Sequence, residues 1–167
     1  VLVGVLGASV VCWANYRGIR TAAIVQSIAT ALIVCCGLLL MSGAALNGST
    51  EQAGPAFNNG IAGITAVIII VPAMLVGFDV IPQSAAEINL PPRRIGILLA
   101  ASVGCAVLWY ALISLAVGLG IETSNQQSAA EPMGSAVAAA NLWSSPLAGQ
   151  LLVLGGIGGI LTSWNAF

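Results

Sequence analysis

The residue in this chain best placed to do chemistry is a carboxylate in an apolar stretch, in the string Gly77-Phe78-Asp79. It follows Ile61 through Val71-Pro72-Ala73-Met74-Leu75-Val76, which is hydrophobic enough to lie in a membrane. An ionisable group at the centre of a bilayer costs roughly 2.5–3.5 kcal/mol on insertion scales, so such groups face a protein interior or a water-filled cavity and mark a pathway or a proton site. Pro72 and Gly77 each weaken a helix locally. A hydrophobic helix interrupted beside an acid is the sequence pattern of a transporter binding site. The competing reading puts Asp79 at the membrane interface. Counted from Ile61 at 1.5 Å per residue, it lies ~27 Å along, close to the ~30 Å of a hydrocarbon core. Against the interface stand Val80, Ile81, Ala85 and Ala86, which prolong the apolar character beyond it.

Two further groups have chemical potential. Glu87 precedes Pro91-Pro92-Arg93-Arg94, so a Glu–Arg pair there is either a gate fastening or a solvated ion pair worth under ~1 kcal/mol. Thr162-Ser163-Trp164-Asn165 places two hydroxyls and an amide inside an apolar stretch, where they hydrogen-bond neighbouring helices or contact an ion or ligand. Gln26 and Thr30 share a helix face and read as polar packing.

The elements that must position these groups follow from composition. The chain has 167 residues, 59% of them hydrophobic and 5% charged, against ~25% charged in a soluble domain. A core cannot account for this, because a soluble protein still needs a polar exterior; the bilayer is the solvent that fits. A net charge of −1 leaves no electrostatic footprint for nucleic acid. The absence of histidine excludes most haem and zinc–histidine chemistry. Cys12, Cys35, Cys36 and Cys105 sit in apolar stretches without C-x-x-C spacing and read as small hydrophobes. No metal or organic cofactor is expected.

The polar joints divide the chain into a helix end at 1–14, a span at 19–43, a broken span at 61–87, a span at 95–121 and a span at 146–167. Spanning helices need ~20 apolar residues, and the blocks lack the period-2 alternation of membrane strands. The expected fold is therefore an all-α, polytopic membrane protein. Because Val1 and Phe167 both lie inside apolar runs, the chain is expected to be a fragment of a longer protein. The four basic residues, Arg17, Arg20, Arg93 and Arg94, fall in two joints. The positive-inside rule makes joints 15–20 and 88–94 cytoplasmic, and loops 44–60 and 122–145 external. In the second loop, Gly134 to Trp143 forms either a short surface helix with Trp143 as an interfacial anchor or a plain connector. Gly155 and Gly159 form a G-x-x-x-G pattern, read as internal helix packing in preference to dimerisation. Asn47-Gly48-Ser49 matches a glycosylation sequon, most simply a chance match.

The string from Gly77-Phe78-Asp79 through Ala85-Ala86-Glu87-Ile88-Asn89-Leu90-Pro91-Pro92-Arg93-Arg94-Ile95-Gly96 resembles the sixth transmembrane helix and following loop of amino acid permeases, members of the amino acid–polyamine–organocation superfamily. Ala86 replaces the first Glu of the family's Ala-Glu-Glu, and Asn89-Leu90-Pro91 stands for Asn-Pro. Asn15-x-x-Gly18 is similar to the family's joint between helices four and five, and Leu161-Thr162-Ser163-Trp164-Asn165-Ala166-Phe167 to its helix eight. The resemblance implies an inverted-repeat transporter of five plus five helices with a discontinuous helix, of which this chain holds the end of helix four to helix eight. It also implies a plasma (inner) membrane location and alternating-access transport of an amino acid or amine. On that basis Ala73, Met74, Leu75, Val76, Gly77 and Phe78 form the unwound substrate-binding segment, and Asp79 caps the inner half-helix as a proton-coupling candidate. Trp164 and Asn165 lie at the substrate, Thr162 and Ser163 near an ion site for H+ or Na+ coupling, and Glu87, Arg93 and Arg94 at the inner gate. The implied partners are a small-molecule substrate, the lipid bilayer and the remaining helices of the full-length protein. The alternative is a non-transporting membrane subunit or the scaffold of a membrane-embedded enzyme. A single intramembrane acid and no histidine speak against catalysis.

Overall fold

The computed structural model describes residues 2–50, 60–74, 90–121 and 134–166. All regular structure among these residues is α-helical: α1 (Leu2–Tyr16), α2 (Ile19–Asn47), α3 (Gly60–Met74), α4 (Pro92–Gly120), α5 (Gly134–Leu142) and α6 (Pro146–Ala166). Arg20–Asn47, Pro92–Gly120 and Pro146–Ser163 are each long and apolar enough to cross a membrane, which marks the chain as an integral membrane protein. Several helix hydroxyls are spent locally, as suits a hydrocarbon solvent. Ser27 Oγ donates to Ala23 O at 2.8 Å, Ser102 Oγ to Leu98 O at 2.8 Å and, in α3, Thr65 Oγ1 to Ile61 O at 2.9 Å.

The chain divides into two compact units, one of residues 1–53 with 115–167, the other of residues 54–114. In the first, α1 turns into α2 through Arg17 and Gly18. Gly18 N–H bonds Asn15 O at 3.0 Å, and Thr21 N–H bonds Gly18 O at 3.0 Å. Gly18 has φ +105°, a conformation that glycine adopts without the clash of a Cβ.

Helices α2 and α6 pack antiparallel. Cys36 meets Gly155, and its thiol donates to Leu151 O at 3.2 Å, while Leu32 and Ala29 meet Gly158 and Ile33 meets Gly159. As residue numbers fall on α2 they rise on α6. A Cβ added to Gly155 would stand 2.7 Å from Cys36 Sγ, whereas one on Gly156 would meet open space. The Gly155–Gly159 pattern is thus an internal contact made by closely approaching backbones. Helix α1 packs on both α2 and α6, burying Val11.

The second unit contains α3 and most of α4. Helix α3 opens at Gly60, with φ +50°. Helix α4 opens on Pro91-Pro92, with Arg94 N–H bonding Pro91 O at 2.8 Å. Proline suits the first helical position, where a missing N–H is no loss.

The expected spans at 95–121 and 146–167 match α4 and α6 closely. The expected 19–43 span is short at its end, because α2 continues to Asn47. Gly43 lies within the helix, where its lack of a side chain accommodates Trp143.

Candidate functional site

Leu75, Val76, Gly77, Phe78, Asp79 and Glu87 lie outside the described residues. Ala73 and Met74 are helical, within α3, which corrects the expectation that the unwound segment begins at Ala73. Pro72 does not end the helix either. Membrane helices tolerate proline where neighbouring groups re-satisfy the freed carbonyl. From Gly60, Met74 is ~21 Å along the axis, about two-thirds of a ~30 Å hydrocarbon core.

Thr162 and Ser163 converge on one acceptor. Thr162 Oγ1 donates to Gly159 O at 2.7 Å and Ser163 Oγ donates to the same oxygen at 3.1 Å. Thr162 is half-buried and Ser163 exposed. With its proton committed, each hydroxyl oxygen keeps acceptor capacity, the property a coordinated cation needs. Trp164 and Asn165 fall in the last turn of α6; their side chains are outside the described set. Arg93 and Arg94 are exposed in the first turn of α4. Among the described residues no cluster of side chains could hold a metal ion.

The sequence reading missed a tightly fitted knot around α5. This short helix buries Gly134, Ala136, Ala138, Ala139 and Leu142, packing on α2 and α6. The Trp143 indole Nε1 donates to Leu39 O of α2 at 3.0 Å, and Asn141 Nδ2 donates to Gly120 O at the end of α4 at 3.0 Å. Trp143, which the sequence left as either an interfacial anchor or part of a plain connector, spends its polar handle on a main-chain oxygen of α2. Ser42 Oγ donates to the same Leu39 oxygen at 2.9 Å.

Glycines open the room for this fit. A Cβ on Gly43 would lie 2.6 Å from the Trp143 Nε1, one on Gly120 2.9 Å from Leu142 Cδ1, and one on Gly149 2.8 Å from Ala136 O. Gly48, just past α2, sits against Leu119. The C-terminal ends of α2 and α4 thus lie together with α5 and the start of α6, at the end of this unit opposite Arg17 and Arg20. The glycines facing a Trp or Leu were the available signal, but a single sequence does not pair them.

The α5–α6 corner is a Schellman turn. Ser145 N–H bonds Ala140 O at 3.0 Å and Ser144 N–H bonds Asn141 O at 3.1 Å, with Ser144 at φ +47°. Cys36 is buried, and Cys12, Cys35 and Cys105 are exposed free thiols on apolar helices. Asn47, of the sequon, is still helical.

Comparison with family models, curated proteins and solved structures finds no match for this chain.

Proposed function

We propose that this chain is the helix-four-to-helix-eight portion of a secondary transporter that moves an amino acid or related amine by alternating access. In this reading α1 ends helix four, α2 is helix five, α3 opens the discontinuous helix six, α4 is helix seven and α6 is helix eight. The observation that carries the reading is α3 with its continuation. Gly77-Phe78-Asp79 and the preceding Pro72 fall in one apolar stretch that begins in α3 (Gly60–Met74), so an acid and two helix-weakening residues share a membrane-compatible segment. Substrate meets main-chain groups between Leu75 and Phe78, and Asp79 caps the inner half-helix, where a carboxylate is favoured by the helix dipole.

The packing of the first unit supports the proposed topology. The ends of α2 and α4 share one end with α5, and Arg17 and Arg20 lie at the other, as an external α5 and a cytoplasmic α1–α2 turn require. The close α2–α6 pair, with its three glycines, supports a scaffold against which helix six rocks. Thr162 and Ser163 on that pair are the coupling-ion candidates. The proposed location is the plasma membrane.

The test is uptake by the full-length protein in proteoliposomes, screened with radiolabelled amino acids and amines under an H+ or a Na+ gradient. Saturable uptake of at least one substrate is expected, with most of it lost in Asp79→Asn at unchanged expression and thermal stability. Absence of uptake and of counterflow for the whole panel under both gradients overturns the reading. Full uptake by Asp79→Asn at every pH removes Asp79 from it.

A further inference from the structure

We infer that the outward face of α1, together with the arginine turn that follows it, is a docking surface for one anionic phospholipid. Leu6, Val10 and Trp13 are 58%, 45% and 50% exposed. With Arg17 they stand at i, i+4, i+7 and i+11, a single line along a helix. The helical register holds to the end of that line, because Arg17 N–H bonds Trp13 O at 3.0 Å. The line is ~16 Å long, and half of a ~30 Å hydrocarbon core is ~15 Å. An acyl chain laid along Leu6, Val10 and Trp13 therefore brings its headgroup to Arg17.

The headgroup end has the matching charge. The Arg17 guanidinium carbon lies 5.1 Å from the centre of the Trp13 ring, a cation–π contact that orients the planar fork at the end of the apolar line. Arg20 follows three residues later, also exposed. Tyr16, almost fully exposed, supplies a second aromatic at the depth where such side chains collect. Two exposed cations at the end of a leaflet-length apolar line fit a diacyl lipid whose phosphate carries net negative charge. They give a zwitterionic headgroup no comparable advantage. This inference needs only that the chain is a membrane protein, and it stands apart from the transport reading.

The full-length protein, delipidated in a neutral detergent, is titrated with phosphatidylglycerol or phosphatidylcholine, and bound lipid is counted by native mass spectrometry. Phosphatidylglycerol is expected to bind at about 30-fold lower concentration than phosphatidylcholine, from a factor of about five per arginine. Arg17→Gln/Arg20→Gln reduces that preference to about twofold or less, Arg17→Lys/Arg20→Lys keeps most of it, and Arg93→Gln/Arg94→Gln leaves it intact. Leu6→Ser/Val10→Ser weakens retention of both lipids. An unchanged preference in Arg17→Gln/Arg20→Gln overturns the proposal, as does an equal loss in Arg93→Gln/Arg94→Gln. Displacement of the lipid by millimolar glycerol 3-phosphate also overturns it, since the site then reads phosphate without the acyl chain.

Discussion

The indole nitrogen of Trp143 reaches across 104 residues of sequence to donate a 3.0 Å hydrogen bond to the carbonyl oxygen of Leu39. The acceptor lies inside α2, where a carbonyl already belongs to the helix ladder, so the bond adds a further donor to an occupied oxygen. It is made possible by Gly43 on the next turn, whose missing side chain leaves the space the ring fills. The pair therefore consists of a donor and a vacancy, and each can be tested separately.

Trp143→Phe removes the donor and keeps most of the ring. Its expected cost is ~1 kcal/mol, the usual net worth of one hydrogen bond, read as a lower midpoint of thermal or denaturant unfolding in detergent. Gly43→Ala costs ~1–3 kcal/mol by overpacking. Trp143→Ala/Gly43→Ala costs less than the sum of its single changes, since residues in contact are not additive. Strict additivity would show that the indole does not occupy the space beside Gly43.

Adjacent glycines on α6 should respond in opposite ways to enlargement. Gly155→Leu forces a side chain onto Cys36 and should separate α6 from α2, lowering the unfolding midpoint sharply, with a loss of ~3 kcal/mol or more. Gly156→Leu enters open space and should be within ~0.5 kcal/mol of the parent protein. Equal effects would refute the antiparallel contact described for this pair.

Ser144→Gly should stabilise the protein. Ser144 holds φ +47°, and a left-handed conformation costs an L-residue roughly 1–2 kcal/mol. Glycine takes that position freely but loses more entropy on folding, so the net gain expected is ~0.5–1 kcal/mol. A rise in the thermal midpoint, with the α5–α6 corner otherwise unchanged, is the outcome to look for.

Under the proposed function, Trp164→Ala in the full-length protein should weaken substrate binding about tenfold, ~1.4 kcal/mol, at an unchanged unfolding midpoint. Isothermal titration with each transported substrate measures it. Equal affinity for all of them would reduce Trp164 to packing.

The helices themselves were legible because a bilayer imposes length and apolarity on each span, and those constraints are written locally in blocks such as 95–121 and 146–167. The contacts were not. Ala138 and Ala139 read as good helix formers, but nothing local says that both are fully buried. The 19–43 span stopped four residues short of the end of α2, and nothing local marks Gly43 as a glycine that admits a distant tryptophan. Trp143 read as either a membrane anchor or part of a connector for a related reason: an indole announces an apolar body and a polar tip, but not which oxygen the tip will find. Of the candidate site, the acid and its flanking glycine were visible as an anomaly in an apolar run. Ala73 and Met74 were assigned to the break by the permease resemblance, yet α3 carries through both.

The position of α5 has a mechanical consequence. It is tied to α2 through Trp143, to the end of α4 through Asn141 and to α6 through the close approach at Gly149. Within the first unit, α2 and α6 are clamped at one end by a common bracket and cannot splay there independently. Whatever freedom the first unit has must then appear at the far ends of these helices, near Gly18, where the turn from α1 into α2 is only two residues long.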